Sequence, residues 1–287
     1  MQRVLLLGAS GILGSEVLRL LQNLNIHYVA PTSSDLDITN KDKILKFVLD
    51  FRPTWIINCA AWTNVDGAET RFDSARKLNE SAVENVGIAA HLYDCKVIHI
   101  STDYVFDGKF SEPYLETSQV DPLNKYGESK LLGEKALLEA LPSAYVVRTS
   151  WLYGVSGKNF VKTIAGKALR REAARVVNDQ VGSPTSARDL AVGIYSILGN
   201  QPESGIYHFS NLGSCSWFEL AQEIYEIVGA NRELVHPISS EALSFVAKRP
   251  NFSLLSKEKW ISAGLSEVPD WKESLQLIMP EIISELK

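Results

Sequence analysis

Short apolar runs alternate, along the first half of the chain, with segments whose apolar residues recur at helical spacing. The runs predict buried strands, because a strand covered on both faces of a sheet carries apolar residues on both sides. They lie at residues 4–7, 27–30, 55–59, 97–101 and 145–148. The segments of helical spacing lie at residues 16–24, 41–51, 72–93 and 126–141. This alternation predicts an α/β fold built on a doubly wound parallel sheet.

Glycines mark the point where the first strand gives way to the first helix. Gly8, Gly11 and Gly14 stand in the order G-x-x-G-x-x-G. Gly8 permits a tight turn, Gly11 lets backbone N–H groups approach a pyrophosphate, and Gly14 lets the helix pack close to the sheet. The N-terminus of the helix then favours the anion. A strand, this loop and a helix in succession predict a Rossmann-like site for NAD(P).

The alternation becomes irregular after Gly154. Helical spacing continues at residues 159–171, 187–198 and 217–228, a further strand is predicted at 206–210, and prolines separate the short elements. This punctuation is typical of a smaller lobe that covers the ligand edge of the sheet. We expect residues 1–154 to form the NAD(P)-binding domain, with 186–205 returning to it, and residues 155–287 to form mainly an α+β substrate-binding lobe.

Composition and charge narrow the classes of partner. The net charge of −5 over 287 residues, with no run of Lys or Arg, argues against nucleic acid or an anionic membrane as the main partner. Three cysteines without a C-x-x-C pair are typical of buried thiols in a reducing compartment. No apolar run approaches the ~20 residues that span a bilayer, and the first run is too short for a signal-peptide core. We therefore expect a cytoplasmic protein.

Tyr126 and Lys130 are candidates for acid–base chemistry. Residues four apart on a helix share a face, so the phenol and the ammonium are expected to point into one cleft. An adjacent ammonium favours the phenolate and brings a tyrosine closer to its working range. Such a tyrosine can give a proton to a carbonyl oxygen while a hydride reaches the carbon. The alternative interpretation is an exposed helix face that carries no chemistry.

Thr102 lies at the end of the fourth predicted strand, where side chains point at the ligand crevice of a parallel sheet. Its hydroxyl can hydrogen-bond a substrate carbonyl and stabilise the charge that develops there. The alternative is a strand-end hydroxyl that satisfies its own backbone.

The end of the second strand bears on the choice of cofactor. An acidic residue there binds the ribose 2′-hydroxyl of NAD and repels a 2′-phosphate. Residues 31–34 read Pro-Thr-Ser-Ser, and no carboxylate follows until Asp35. NADPH is therefore favoured, with NADH as the alternative.

Several segments together resemble one enzyme family. They are the glycine loop at 8–14, Leu-Asp-Ile-Thr at 36–39, Cys-Ala-Ala-Trp-Thr-Asn-Val-Asp at 59–66, Ser-Thr-Asp-Tyr-Val-Phe at 101–106, Tyr-Gly-Glu-Ser-Lys at 126–130, Arg-Thr-Ser-Trp at 148–151, Val-Asn-Asp-Gln-Val-Gly-Ser-Pro-Thr at 177–185 and Arg-Pro at 249–250. On these segments the chain resembles, nearly end to end, the extended short-chain dehydrogenase/reductases. The segments at 101–106 and 177–185 resemble the branch that reduces dTDP-linked 4-keto sugars.

The resemblance implies roles for individual residues. Thr102, Tyr126 and Lys130 would be catalytic, with Tyr126 as general acid and Lys130 also holding the nicotinamide ribose. The implied cofactor contacts, besides Tyr126 and Lys130, are Gly8, Ser10, Gly11, Ile12, Leu13, Asp37, Ile38, Ala60, Ala61 and Trp62. The implied substrate contacts, besides Thr102 and Tyr126, are Val65, Tyr104 and Trp151.

The resemblance also implies an activity. It is the NAD(P)H-dependent reduction of the C4 ketone of dTDP-4-dehydro-6-deoxy-L-mannose to dTDP-L-rhamnose, a step toward cell-surface polysaccharide, by a monomer or homodimer. Two alternatives stay open. One is another sugar-nucleotide reductase or epimerase of the same fold, and the other is a non-catalytic subunit like that which regulates methionine adenosyltransferase.

Glu16 has two interpretations. It matches a carboxylate that joins a Mg²⁺-linked dimer in some members of the family. An exposed glutamate in the first turn of a helix, favoured by the helix dipole, explains it equally well.

Overall fold

A computed structural model describes residues 2–287. The strands are β1 Arg3–Leu7, β2 His27–Val29, β3 Trp55–Asn58, β4 Lys96–Thr102, β5 Tyr145–Thr149, β6 Leu152–Tyr153, β7 Ala174–Val177, β8 Val181–Gly182, β9 Thr185–Ser186, β10 Gly205–His208, β11 Cys215–Ser216 and β12 Val235–Ile238. The helices are α1 Ile12–Asn23, α2 Lys41–Phe51, α3 Val65–Thr70, α4 Phe72–Arg76, α5 Ala82–Leu92, α6 Lys125–Ala140, α7 Phe160–Leu169, α8 Ala187–Asn200, α9 Trp217–Val228, α10 Glu258–Ser262 and α11 Trp271–Leu286.

The central sheet has six strands in the order β2-β1-β3-β4-β5-β10, and every neighbouring pair is parallel. The strand order reverses at β1, because β2 lies on one side of it and β3 on the other. This is the switch point at which ligands bind in a doubly wound sheet, outside the carboxyl ends of the strands. The predicted fold class is confirmed.

Each face of the sheet buries a separate apolar core. One core lies against α1 and α8 and includes Val17 and Leu190. The other lies against α2, α5 and α6 and includes Val86 and Leu137. A third core, formed by α7, α9 and α11 and including Trp271 of α11, belongs to the second half of the chain. Strands β1, β3 and β5 contain fully buried runs, and for this reason they could be predicted from apolar runs in the sequence.

The second half of the chain returns to the central sheet. Helix α8 packs on α1, and β10 pairs with β5 from Gly205 to His208. The boundary at residue 154 stays a prediction, because it separates a cofactor-binding part from a substrate-binding part. None of the helices within residues 2–287 combines the length and the hydropathy that a bilayer crossing requires.

Some observed elements differ from the predicted ones. The helix expected at 72–93 is α4 followed by a π-helical turn, Lys77–Ser81, and then α5. Helix α11 was not predicted, because Pro280 lies inside it and Pro269 just before it, and prolines ordinarily interrupt helices.

Close packing of α6 generates a stability prediction. A Cβ at Gly133 would lie 1.9 Å from the Asn79 carbonyl oxygen, so Gly133→Ala forces two backbones apart and should cost roughly 1–3 kcal/mol. The control is Gly199→Ala in α8, where a Cβ would meet nothing within 4 Å. This substitution should raise the free energy of unfolding by up to about 1 kcal/mol. Urea denaturation measures both. Equal midpoints for the two variants would contradict the close contact.

Candidate active site

A cleft of about 700 Å³ opens at the carboxyl ends of the central strands. The glycine loop and the start of α1 form one wall, and the start of α6 and the end of β4 form another. Aromatic residues from the second half of the chain close it. The predicted site residues that line this cleft are Gly11, Ile12, Leu13, Ala61, Val65, Thr102, Tyr104, Tyr126, Lys130 and Trp151.

The glycine loop is shaped by two close backbone approaches. Gly8 has φ +76°, and a Cβ on it would lie 2.6 Å from the Ala60 nitrogen. A Cβ on Gly14 would lie 2.0 Å from the Gly8 oxygen. At Gly11 a Cβ would meet only that oxygen, at 3.4 Å, so packing within the chain does not by itself require glycine there. The space beside Gly11 faces the cleft.

The N-terminus of α1 is suited to an anion. Gly11 is its N-cap, and within residues 2–287 no side chain caps this helix. By contrast, asparagine side chains cap α2, α6 and α7. Uncapped N–H groups in the first turn bind phosphate readily. The donor set therefore fits the pyrophosphate of a dinucleotide.

Thr102 ends β4 and is tied to the residue that follows it. Its hydroxyl donates to Asp103 Oδ1 at 3.0 Å and accepts from the Tyr104 N–H at 3.2 Å. Burial raises the pKa of Asp103 to about 6, and the hydroxyl of Thr102 partly opposes this rise. The local backbone contact envisaged as the alternative is thus present, and the hydroxyl still lines the cleft.

Tyr126 is the second residue of α6, which Asn124 caps by accepting from the Gly127 N–H at 2.8 Å. Its ring meets that of Tyr104 edge to face, with centroids 5.6 Å apart. Burial raises the pKa of Tyr126 to about 12, and the Thr102 hydroxyl opposes part of the rise. The phenol therefore keeps its proton at neutral pH.

Lys130 lines the same cleft as Tyr126, and its amine contacts β4. Its Nζ donates to the Ile100 carbonyl at 2.6 Å and lies 3.1 Å from His99 Nε2. Burial lowers the pKa of Lys130 to about 8. The amine bonds to β4, and the expectation that its charge favours the phenolate of Tyr126 stays a prediction.

The remaining predicted cofactor residues do not line the cleft. Ser10 is exposed in the glycine loop, and Ile38 is buried in the core that lies against α2, α5 and α6. Asp37 accepts from the N–H and hydroxyl of Thr39. Ala60 donates its N–H to Asn58 Oδ1.

The side-chain amide of Asn79 forms hydrogen bonds with both the backbone N–H and the backbone carbonyl of Trp62. Asn79, in the π-helical turn, accepts from the Trp62 N–H at 2.8 Å and donates to its carbonyl at 3.0 Å. π-Helical turns are frequent at functional sites. This one couples the Trp62 segment to α6, because the same amide of Asn79 also donates to Ser129.

The far end of the cleft contains an aromatic pair. Trp151 stacks on Trp217 with centroids 3.6 Å apart and planes 7° from parallel. Trp151 has φ +46°, an uncommon conformation for a bulky residue. Gly182 makes room for it, since a Cβ there would lie 2.4 Å from the indole. Trp217 was not predicted as a site residue, because a tryptophan at the start of an amphipathic helix looks like any core aromatic.

Glu16 is buried, so the interpretation as an exposed glutamate is wrong. Its carboxylate pairs with Arg19 at 2.5 Å and with Arg188 at 3.6 Å. Both arginines also approach Glu281. Across the described chain, no group of three His, Cys, Asp or Glu side chains could hold a metal. Two guanidinium groups around one carboxylate do not fit Mg²⁺, so the magnesium prediction has no support.

A parallel sheet with a glycine loop at its switch point, and a tyrosine and lysine one turn apart beside β4, define an oxidoreductase of the extended short-chain dehydrogenase/reductase class. The sequence model of the family described as "RmlD substrate binding domain" matches residues 1–283, and the chain belongs to this family. The family inferred from the sequence segments is confirmed.

Individual relatives agree with this assignment. The chain is 40% identical over 277 residues to the dTDP-4-dehydrorhamnose reductase of Mycolicibacterium smegmatis, covering 96% of this chain and 84% of the relative. It is 37% identical over 279 residues to the dTDP-4-keto-6-deoxy-D-glucose reductase of Streptomyces niveus, covering 97% and 96%. The crystal structure of dTDP-4-dehydrorhamnose reductase from Bacillus anthracis in complex with NADP superimposes with a TM-score of 0.93 at 39% identity, covering 98% and 100%.

The buried carboxyl of Asp103 generates a pH prediction. Its pKa rises from 3.8 to about 6 on folding, so between these values the folded chain holds a proton that the unfolded chain has lost. Stability from this group therefore falls as pH rises from about 4 to 6. Asp103→Asn should remove that loss. Between pH 4 and pH 7, the free energy of unfolding of the variant should rise relative to that of the wild type by roughly 2–3 kcal/mol.

Urea denaturation at the two pH values measures this difference. Asp50→Asn, at an exposed ion pair with Lys46, is the control and should show no comparable gain. A wild-type-like pH dependence in Asp103→Asn would contradict a raised pKa.

Proposed function

We propose that the chain reduces the C4 ketone of dTDP-4-dehydro-6-deoxy-L-mannose to dTDP-L-rhamnose with NADPH, in a pathway to cell-surface polysaccharide. The observation that carries the proposal is one cleft lined by the glycine loop, by Thr102 and Tyr126, and by the Trp151–Trp217 pair. A sugar-nucleotide reductase needs a dinucleotide site, a proton donor and a surface that binds the nucleotide of the substrate, all in one cleft.

The residues around the glycine loop fit a dinucleotide. Gly11, Ile12 and Leu13 offer first-turn N–H groups to the pyrophosphate, and Asp37 and Ile38 border the adenine end. When bound, the reduced nicotinamide supplies a hydride. Asp35 is occupied by the N–H and hydroxyl of Thr32, and the solved relative in complex with NADP supports NADPH as the preferred cofactor.

Tyr126 holds the proton that the reaction consumes. Its phenol is protonated at neutral pH because burial raises its pKa to about 12. A carbonyl oxygen near its Oη gains basicity as the carbon is reduced, and the proton then transfers. Thr102, whose hydroxyl lies beside the phenol, orients the same oxygen.

The aromatic pair is proposed to bind the nucleotide end of the substrate. Stacked indoles offer a flat apolar surface that suits a pyrimidine or a sugar face. Val65 and Tyr104 line the same cleft, and we propose that they contact the hexose. The names of relatives that act on dTDP sugars support this class of substrate.

The test of function is loss of NADPH absorbance at 340 nm with dTDP-4-keto-6-deoxy sugars. Tyr126→Phe should lower kcat by at least about 100-fold, while NADPH affinity, measured by fluorescence titration, stays within twofold. Tyr195→Phe, on α8 outside the cleft lining, is the matched control and should keep full activity. Full turnover in Tyr126→Phe would remove the proposed acid.

The same assay separates the alternatives. The Streptomyces niveus relative is named for a 4-keto-6-deoxy-D-glucose substrate, so both sugars are offered with NADPH and with NADH. An epimerase would convert its substrate without net loss of NADPH. A regulatory subunit would show no turnover and would copurify with a stoichiometric enzyme.

Trp217 provides a separate test of the substrate site. Trp217→Ala removes the stacking partner of Trp151, and loss of one aromatic contact worth about 1.4 kcal/mol corresponds to a roughly tenfold rise in KM for the dTDP sugar. The value of kcat and the KM for NADPH should stay near wild type, because the ring of Trp217 packs on Trp151 and Phe160, whereas that of Tyr126 packs on Tyr104. Trp217→Phe should recover part of the affinity. A fall in kcat with unchanged KM would place the nucleotide elsewhere.

A further inference from the structure

Residues 243–250, which we call the strap, connect the second half of the chain to the elements around the cleft. Within the strap itself no residue belongs to a helix or a strand, so contacts with other segments hold it in place. At its C-terminal end the packing is tight, since a Cβ on Gly108 would lie 2.5 Å from the Pro250 Cβ. Three further contacts reach elements that carry cleft residues.

Asp66, the second residue of α3, contacts the strap at two atoms. Its carboxylate accepts from the Ala247 N–H at 3.0 Å and from Arg249 Nη2 at 3.1 Å. Its neighbour Val65 lines the cleft. The Asp66 side chain is 40% exposed, and ion pairs that water screens in this way contribute little to stability. This contact alone is therefore a weak anchor for the strap.

The Arg249 guanidinium connects the strap to a second cleft residue. It lies over the Phe245 ring, 3.6 Å from the ring centroid. Burial and Asp103 raise the pKa of Tyr104, and Arg249 opposes part of this rise because its guanidinium lies near the phenol. The strap thus borders Val65 and Tyr104, the two residues proposed to contact the hexose.

A third contact is buried and joins the strap to α6. Asn124 is 6% exposed. Its Nδ2 donates to the Lys248 carbonyl at 2.8 Å, and its Oδ1 accepts from the Gly127 N–H at 2.8 Å. A backbone carbonyl only accepts and a backbone N–H only donates, so the orientation of the amide is fixed. One side chain therefore caps the helix that carries Tyr126 and also fastens the strap.

Other caps in the chain show that capping alone does not require this second bond. Asn40 caps α2 by accepting from the Lys43 N–H, and its side chain is exposed. Ser216 caps α9 and Asp270 caps α11. Asparagine, aspartate and serine cap helices about equally well, but of the three only asparagine has a donor and an acceptor on separate atoms. The bond to the strap explains why residue 124 is an asparagine.

We propose that Asn124 is a positioning residue for the sugar-nucleotide side of the cleft: its amide fastens the strap to the first turn of α6, and the strap holds Val65 and Tyr104 in the cleft wall. The proposal rests on the proposed function for the identity of the substrate, whereas the fastening is a property of the chain itself. Loss of this bond releases the strap and weakens binding of the sugar nucleotide, while the helix cap stays in place.

Asn124→Asp separates the two bonds, because a carboxylate still caps α6 but cannot donate to the Lys248 carbonyl. Trypsin reports release of the strap. The bond after Lys248 is the one it cleaves there, since Arg249 is followed by Pro250. Cleavage of the native full-length chain after Lys248, followed by mass spectrometry, should be about fivefold faster than in wild type. This factor corresponds to about 1 kcal/mol, the usual contribution of one hydrogen bond.

Asn40→Asp is the matched control, because it makes the same change at a cap that has no contact with the strap. Its cleavage after Lys248 should match that of wild type. Asn124→Ser repeats the test without adding a charge, since a hydroxyl caps a helix but is too short to reach both backbone groups, and it should also be cleaved faster. Wild-type rates in both Asn124 variants, or faster cleavage spread over all sites, would overturn the proposal.

Steady-state kinetics distinguishes fastening from capping. In Asn124→Asp the KM for the dTDP sugar should rise about three- to fivefold, while kcat and the KM for NADPH stay near wild type. An effect through the cap alone would displace Tyr126 and lower kcat at an unchanged KM, which would refute a role in positioning the substrate side. Absence of reductase activity in the wild-type chain would reject the proposed function, and the trypsin result would still decide whether Asn124 fastens the strap.

Discussion

The close packing of helix α6 is the constraint on which the site depends. Two of its positions admit no side chain, since a Cβ on Gly127 would lie 2.1 Å from the Tyr104 oxygen and one on Gly133 would lie 1.9 Å from the Asn79 oxygen. Backbone contacts this short leave the helix little freedom to slide, because interiors are densely packed and poorly compressible. Tyr126 and Lys130 therefore have a fixed height above the end of β4.

A buried polar layer continues this docking along α6. Glu134 accepts from both Arg148 of β5 and Ser101 of β4, so one carboxylate joins the helix to two strands. The desolvation of a buried ion pair offsets much of its Coulomb attraction, so stability alone is a weak reason for its presence. Its directional bonds set the rotation of α6. Rotation about the helix axis decides whether Tyr126 faces the cleft.

The sequence was a good guide wherever burial alone determines the structure. Strands such as β3 and β5 are buried on both faces, so apolar runs in the sequence predict them. Helices α2 and α9 begin and end within a residue of the predicted bounds. It was a poor guide where partners come from distant segments. Glu16 looked like an exposed first-turn glutamate because Arg188, which covers it, belongs to α8. Trp217 belongs to the site because it lines the cleft and stacks on Trp151, from a distant part of the chain.

The Tyr126–Lys130 pair shows the same limit in a finer form. A spacing of four residues correctly implies one helix face, but it says nothing about which neighbours the two side chains choose. The amine donates to the Ile100 carbonyl and lies beside the His99 imidazole, and both of these residues belong to β4. The orientation of the Asn58 amide beside His99 depends in turn on the N–H of Ala60, in the loop after β3. Hydrophobic patterns predict which groups are buried, but they do not predict the direction of a buried hydrogen bond. Here that direction is fixed by a backbone N–H, which can only donate.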